Sequence, residues 1–215
     1  MSYGVYGDQV MGRITHGLLR LSTAMRSEAW NWAEQVGLTP TQGEILVLLL
    51  QRKGALRLGE IARETALTAA TTSDAVSTLE VKGLVEKRRA LDDGRALAVR
   101  LTSRGRTAAK RAVQWPGFLT SAVSKLGGTE QGKLYRSLVK MIYELEASDT
   151  MPAHRMCISC KYFEPGQGSA RKAATHRCSL LGESFDDTGV RLDCSTYELA
   201  DAVQRRKTWK VFAVN

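Results

Sequence analysis

Four cysteines are the residues of this chain best suited to chemistry, and all of them lie between positions 157 and 194. Their spacing is Cys157-x2-Cys160-x17-Cys178-x15-Cys194. In a reducing compartment, thiols gathered in one local structure favour metal ligation or redox chemistry over structural disulfides. Four thiolates suit a tetrahedral zinc ion and an iron–sulfur cluster equally well. We therefore expect these four cysteines to be the ligands of a small metal-binding module.

Two features of the sequence favour an iron–sulfur cluster, of the 4Fe-4S type, over zinc. Only the first two cysteines form a CxxC pair, whereas a zinc ribbon has two such pairs. The long gaps resemble the spacing in high-potential iron–sulfur proteins, as do the aromatic neighbours Tyr162, Phe163, Phe185 and Tyr197. Zinc is the alternative, as a folding staple for a tail with a thin apolar core, and a disulfide switch is a third option. We expect His176 to lie at the surface or to support a ligand.

A second chemical feature is positive charge, which is concentrated in one block of the sequence. The formal net charge is +9, and residues 40–111 hold fourteen lysines and arginines against eight acidic residues. Residues 1–39 and 112–150 are each neutral. Such a block suits a polyanion, because neutralising phosphates releases condensed counterions. A basic surface that is merely solvated is the alternative.

Within the basic block, residues 84–101 have the pattern of a β-hairpin. Residues 84–89 and 96–101 are strand-like, and Asp92-Asp93-Gly94-Arg95 is a turn sequence. Arg95 at the tip is suited to a narrow minor groove of DNA, or to an ion pair with Asp93, and the two roles are compatible. The cations on the hairpin arms are suited to phosphate contacts, and they are Lys87, Arg88, Arg89 and Arg100.

The segment before the hairpin has the pattern of a helix-turn-helix. A short helix around Ile61 is followed by a helix that Thr68 caps and that runs to about Lys82. Val76 and Leu79 should face the core, which leaves small polar residues for base edges. These candidates are Thr68, Ala69, Ala70, Thr71, Ser73 and Ser77. Because phosphates repel a carboxylate, we expect Asp74 to pair with a neighbouring arginine, and a hydrogen bond from a cytosine amino group is the alternative.

Amphipathic helices flank this core on both sides. A long helix begins at Val10, and Thr39-Pro40-Thr41-Gln42 opens a second helix with a capping box. A helix from Thr102 should run to about Lys125, with a kink or split at Pro116. A last helix has the apolar stripe Leu134, Leu138, Met141 and Leu145. Because such stripes are hard to bury within one monomer, we expect a homodimer.

In several ordered motifs, residues 8–147 resemble the MarR family of regulators. The motifs are Thr39-Pro40-Thr41-Gln42, Leu79-Glu80-Val81-Lys82-Gly83-Leu84-Val85, Asp93-Gly94-Arg95-Ala96 and Leu101-Thr102-Ser103-Arg104-Gly105. The resemblance implies a mainly α fold with a small β-wing (α+β), a winged helix-turn-helix. It also implies a dimer on a pseudo-palindromic operator, with recognition helices in adjacent major grooves and wings in flanking minor grooves. Ordinary members lack the four-cysteine tail.

The resemblance and the tail together predict four regions and one function. The regions are an N-terminal dimerisation helix (1–39), a winged helix-turn-helix DNA-binding domain (40–102), C-terminal dimerisation helices (103–150) and a cysteine-rich metal or iron–sulfur module (151–215). The predicted function is transcriptional repression, with the cluster as a redox sensor. The resemblance also implies a pocket for a small aromatic effector. Trp30, Trp32 and Trp115 could line it, although core positions are favoured for them.

Three alternatives differ from this prediction in function class. One is a zinc-stapled regulator that responds to a small aromatic effector, another an iron–sulfur electron carrier on a helical scaffold, and the third a protein-interaction adaptor. An enzyme is not expected, because the sequence has no GxSxG, HExxH or phosphate-loop motif. The chain has no apolar run of eighteen residues and no secretory signal pattern at its start. We therefore expect a cytoplasmic protein with no membrane partner.

Overall fold

The computed structural model of the chain describes residues 9–52, 54–89, 97–166 and 176–214. The chain divides into two compact units, Met1–Ala122 and Val123–Asn215. Helices dominate the first unit and continue to its boundary. They are α1 (Val10–Gln35), α2 (Pro40–Arg52), α3 (Leu58–Glu64), α4 (Ala69–Val81), α5 (Ser103–Ala112) and α6 (Gly117–Val123).

The helix ends of the first unit follow the predicted capping residues. At α2, the Gln42 amide donates to Thr39 Oγ1 and the Thr39 amide donates to Gln42 Oε1, both at 3.2 Å, so the predicted capping box is confirmed. At α4, Thr68 Oγ1 accepts from the Thr71 amide at 3.1 Å. Gly83 follows α4 with a φ of 67°, a conformation that favours glycine. The predicted split at Pro116 is confirmed, since it lies between α5 and α6.

The hairpin forms as predicted and gains a third strand. Strands β1 (Leu56–Arg57), β2 (Val85–Arg89) and β3 (Leu97–Leu101) form an antiparallel sheet in the order β1-β3-β2. The two-residue β1 was not predicted, because it is too short to show an alternating pattern. The turn at residues 90–96, with Arg95, lies outside the described residues.

One apolar core joins the helix-turn-helix to the hairpin. Ile45 and Leu49 of α2 share this core with Val76 and Leu79 of α4 and with Val99 of β3. The expectation that Val76 and Leu79 face inward is confirmed, since both are fully buried. Burying one such side chain stabilises the fold by about 1.5–3 kcal/mol. Helix α4 and the hairpin are therefore held in a fixed mutual arrangement.

The second unit combines one long helix with the cysteine-bearing tail. Its elements are α7 (Gly128–Ala147), β4 (Phe163–Glu164), β5 (His176–Cys178), β6 (Glu183–Phe185) and α8 (Ala202–Val214). The three strands form an antiparallel sheet in the order β4-β5-β6. Helix α8 was not predicted.

Helix α7 and the tail share a core. Val139 of α7 is fully buried with Met156, Ile158 and Phe212, and Tyr143 of α7 stacks on Trp209 of α8 with ring centres 4.1 Å apart. The tail core, expected to be thin, therefore includes one face of α7. The segment predicted as dimerisation helices (103–150) contributes α5 to the first unit and α7 to the second. Its role in dimerisation stays a prediction.

Among the helices of the described segments, none has both the length and the apolar character needed to cross a lipid bilayer.

Gly105 should be indispensable to the first unit. A Cβ atom there would lie 1.8 Å from the Leu84 carbonyl oxygen, so the backbone would have to move. We expect Gly105→Ala to lower the free energy of unfolding by about 1–3 kcal/mol or more, as measured by urea denaturation followed by circular dichroism. Gly59→Ala is the control, since nothing lies within 4 Å of its Cβ position. Equal stability of the two variants would contradict the packing at Gly105.

Candidate nucleic-acid interface

Helix α4 has one polar, exposed side. Its buried side consists of Thr72, Val76 and Leu79. The predicted base-contacting residues are all accessible, with Thr68, Ala69, Ala70, Thr71 and Ser73 exposed and Ser77 half-buried. The helix therefore presents methyl and hydroxyl groups, which suit thymine methyls and several base edges.

Not all of these polar groups are equally available for a ligand. The Thr68 hydroxyl caps α4 and also lies 2.8 Å from the Thr71 hydroxyl. Ser77 Oγ accepts a hydrogen bond from Lys87 Nζ at 3.1 Å. Ser73 has no side-chain partner among the described residues. The expected pairing of Asp74 with an arginine is not seen there either, and Asp74 is exposed.

Three of the four predicted cations on the hairpin arms are engaged in ion pairs. Lys87 Nζ lies 3.0 Å from Glu80 Oε2, and the carboxylate of Glu86 accepts from Arg88 and from Arg100. Hydrogen bonds from Lys87 lower the pKa of Glu80, and those from Arg100 and Arg88 lower the pKa of Glu86. Both carboxylates are solvated, so these pairs are weak and exchange readily with other anions.

The remaining arm cation, Arg89, is exposed and has no ion pair within the described part of the chain. The structure therefore brings the basic arms next to α4, with Lys87 of β2 bridging to Ser77 and Glu80. Sequence reasoning missed the pairing role of Glu80 and Glu86. For Glu86 the signal was present, because it stands opposite Arg100 in the hairpin register.

The first unit also contains a cavity of about 460 Å³ between α1, α2 and the α5–α6 connection, which we call the aromatic cavity. Trp32 and Trp115 line it together with Glu44, and Trp32 also packs against the core. Trp30 does not line it and is 55% exposed, so the predicted core position of Trp30 is wrong for this chain.

The four cysteines are free thiols in two environments. Cys157 and Cys160 are buried, and Cys178 and Cys194 are half-buried. Burial raises the pKa of the Cys157 thiol to about 11, although its sulfur accepts a hydrogen bond from the Arg191 amide at 3.2 Å. Partial burial opposes ionisation of Cys194, but hydrogen bonds from Thr196 and Arg191 lower its pKa. The thiols therefore differ in how readily they ionise.

The donor chemistry of the tail fits a thiolate-binding centre. Cys157 Sγ accepts a hydrogen bond from the Arg191 amide, and amide-to-sulfur hydrogen bonds suit thiolate ligands. Cys178 lies on β5, opposite Phe163 of β4. Across the described segments, which include all four cysteines, no three or more Cys, His, Asp or Glu side chains converge as a metal site requires.

His176 is a core residue of the second unit, so its expected position at the surface is wrong. Only 1% of it is exposed, and its ring lies among those of Phe163, Phe185 and Phe212. Its Nδ1 accepts from the Gly166 amide at 3.2 Å, and its Nε2 lies 2.8 Å from Asp187 Oδ1. Both ring nitrogens are therefore occupied by protein partners.

Comparison with known proteins finds relatives of one kind. Residues 36–96 match the model of the MarR family. The chain is 32% identical over 109 residues to the HTH-type transcriptional repressors Rv2887 of Mycobacterium tuberculosis and Mb2911 of Mycobacterium bovis, which covers 51% of this chain and 76% of each relative. Among solved structures, the MepR–DNA complex of Staphylococcus aureus is similar, with 26% identity, a TM-score of 0.54, and coverage of 61% of this chain and 97% of MepR.

These similarities confirm the winged-helix fold, mainly helical with small sheets. They also confirm that the chain is not an enzyme, because its relatives are transcriptional regulators. With a relative 32% identical over three quarters of its length, the chain belongs to the MarR family.

Proposed function

We propose that this protein is a transcriptional repressor that binds duplex DNA as a homodimer. The observation that carries the proposal is the exposed polar side of α4, fixed by a common core beside a hairpin whose arms carry four cations. Two similar structures are described as a DNA complex and as a DNA-binding conformation of MepR. The mycobacterial relatives are named repressors.

In the proposed complex, α4 enters the major groove and the hairpin follows the backbone. Ala69 and Ala70 offer methyl groups, and Ser73 offers an uncommitted hydroxyl at the exposed side of α4. Arg89 offers a guanidinium to phosphates. Arg95, which lies in the tip segment outside the described residues, is proposed to enter the minor groove.

Ion pairs with Glu80 and Glu86 keep the other hairpin cations in position before DNA binds. Without DNA, Glu86 keeps Arg88 and Arg100 together on one face of the hairpin, and Glu80 keeps Lys87 against α4. Phosphates compete for the same donors, since guanidinium binds phosphate as it binds carboxylate. Binding then costs little reordering of these long side chains.

The proposed dimer forms through α1. Most of this helix is exposed, and only Ala33 is buried. One stripe of exposed apolar residues along it consists of Val10, Met11, Ile14, Leu18, Leu21 and Met25. An apolar stripe of this length calls for a partner, and a second copy would present an identical stripe. Two copies would then place two α4 helices on a pseudo-palindromic operator.

A small planar effector is proposed for the aromatic cavity. Its volume of about 460 Å³ lies within the range of small-molecule sites. Trp32 and Trp115 offer ring faces there. Since the cavity touches α1, α2 and the α5–α6 connection, an effector would act on the helices that carry the dimer contacts.

For the tail, we propose that Cys157, Cys160, Cys178 and Cys194 hold a 4Fe-4S cluster, with zinc as the alternative. When bound, such a cluster supplies a centre that responds to oxidants. The chain supports it with the Arg191 amide, which donates to Cys157, and with Thr196 beside Cys194. Aromatic rings of the shared core exclude water around the buried thiols. Because no three of these side chains converge in the described segments, the four thiols would have to draw together around the cluster.

Duplex binding should depend on salt and on Arg89. We expect affinity to fall steeply between about 50 and 200 mM salt, as counterion release requires. Arg89→Ala should reduce the slope of log affinity against log salt by about 1, as expected for one lost phosphate contact. Fluorescence anisotropy with a labelled duplex measures both. The control is Arg206→Ala, which removes an exposed cation on α8. Equal salt slopes for the two variants would show that Arg89 does not contact the DNA backbone.

Light scattering should show a particle of twice the 23.6 kDa chain mass. Ile14→Glu should shift it toward the monomer, because a carboxylate within an apolar contact is left without hydration. Ser27→Glu, on another side of α1, should leave the dimer intact. A monomer in the unmodified protein at micromolar concentration would contradict the proposed architecture.

Protein purified without oxygen should be brown, with broad absorbance at about 400 nm from thiolate-bound iron and sulfide. Cys157→Ser and Cys194→Ser should each lose colour, iron and acid-labile sulfide. Ser195→Ala is the matched control, since it is an exposed neighbour of Cys194 and not a proposed ligand. A colourless protein with one zinc ion per chain would contradict the cluster proposal and support the zinc alternative.

A further inference from the structure

A second and larger cavity lies in the first unit, apart from the polar side of α4. It measures about 760 Å³, and we call it the basic cavity. The α1–α2 turn, the turn after α4 and one face of α5 form its walls. The lining residues that matter here are Val36, Lys82, Leu84, Arg104, Ala108 and Arg111.

The charges in this lining have a single sign. Lys82, Arg104 and Arg111 line the cavity, and no aspartate or glutamate does. Within the described part of the chain, Arg104 and Arg111 have neither an ion pair nor a hydrogen bond from their side chains. Two uncommitted guanidiniums on the wall of a concave site are suited to carboxylate or phosphate, which they bind with two parallel hydrogen bonds.

Lys82 makes one wall of the cavity rigid. Its Nζ donates to the Gly37 carbonyl at 2.7 Å and to Gln42 Oε1 at 2.9 Å. These bonds tie the end of α4 to the α1–α2 turn and leave one of the three ammonium hydrogens for a ligand. The cavity is therefore held open by contacts that need no ligand.

The spacing along α5 sets the length of the ligand. Arg104 and Arg111 are seven residues apart on the same helical face, which corresponds to about 10 Å along the axis. Ala108 lies between them, and Val36 and Leu84 add apolar surface. A ligand that satisfies both guanidiniums carries a negative group at each end and an apolar chain between them.

We propose that the basic cavity binds an elongated organic dianion, an α,ω-dicarboxylate, with one carboxylate on Arg104 and the other on Arg111. The site is distinct from the aromatic cavity, which contains no lysine or arginine in its lining. Its test is also separate from that of the proposed DNA interface, because dicarboxylate binding is measured without DNA.

Titration calorimetry with dicarboxylates from succinate to suberate tests the proposal on the full-length protein. We expect affinity to rise with chain length and suberate to bind at least about tenfold more tightly than octanoate, which lacks the second charge. Arg104→Gln and Arg111→Gln should each weaken suberate binding by about tenfold or more. Arg106→Gln removes an equal charge from the same helix outside the cavity lining and should change nothing.

Three outcomes would overturn the proposal. The first is equal affinity for suberate and octanoate, and the second is equal weakening by Arg106→Gln, since either would show unspecific attraction to a basic helix. The third is loss of duplex affinity in Arg104→Gln and Arg111→Gln with no dicarboxylate binding by the unmodified protein. That result would assign the two guanidiniums to the DNA backbone. If the protein binds dicarboxylates but does not bind duplex DNA, only the proposed function fails and the proposed dicarboxylate site stands.

Discussion

The shared core of α2, α4 and β3 is the interaction on which the proposed interface depends. Val76, Leu79 and Val99 are completely buried in it. Because a helix repeats every 3.6 residues, burying these α4 positions turns Ala70 and Ser73 toward solvent. Since Val99 and Leu101 of β3 lie in the same core, the base of the hairpin is held beside α4. A single apolar cluster thus fixes both the orientation of the recognition helix and the position of the wing.

Charge on this scaffold is arranged in two different ways. On the hairpin, Glu80 and Glu86 occupy most of the cations, and solvation keeps those pairs weak enough to exchange. In the basic cavity, Arg104 and Arg111 have no such partners among the described residues. The positive charge of the chain is therefore not spread over one continuous surface. Part of it is held in ion pairs beside α4, and part of it lines a concave site on α5.

The sequence predicted the elements whose signals are local. Capping at Thr39, Thr68 and Thr102, the split at Pro116 and the hairpin arms all follow from side-chain types at fixed offsets, and the structure contains each of them. Helix α8 has little amphipathic pattern in its sequence, and only two of its residues, Thr208 and Phe212, are buried. It is held by α7 rather than by its own periodicity, so local reasoning missed it.

Positions decided by tertiary contacts were not predictable in the same way. The sequence predicts a surface or ligand-supporting position for His176, because a lone histidine near a complete set of four cysteines need not be a ligand. Its burial depends on Phe212, more than thirty residues further along, and on Asp187. Trp30 was assigned to the core from its size alone, and only the packing of α1 shows that it is exposed. Both errors concern partners distant in sequence.

Two neighbouring residues of α7, Tyr135 and Arg136, contact the segments that carry the cysteines. Arg136 Nη1 lies 2.6 Å from Asp187 Oδ2, and its other terminal nitrogen donates to the Phe212 carbonyl. Asp187 in turn holds His176, two residues before Cys178. On the same face, the hydroxyl of Tyr135 donates to the Val190 carbonyl, next to the residue whose amide donates to Cys157.

Two of the four cysteines thus lie within two contacts of the same turn of α7. Packed and hydrogen-bonded groups are one route by which two sites are coupled, and such contacts join α7 to both cysteine segments. The other side of α7 carries Leu134, Met141 and Leu145, each about 40% exposed. A rearrangement of the segments around these cysteines would therefore act first on α7, whose apolar side is partly exposed.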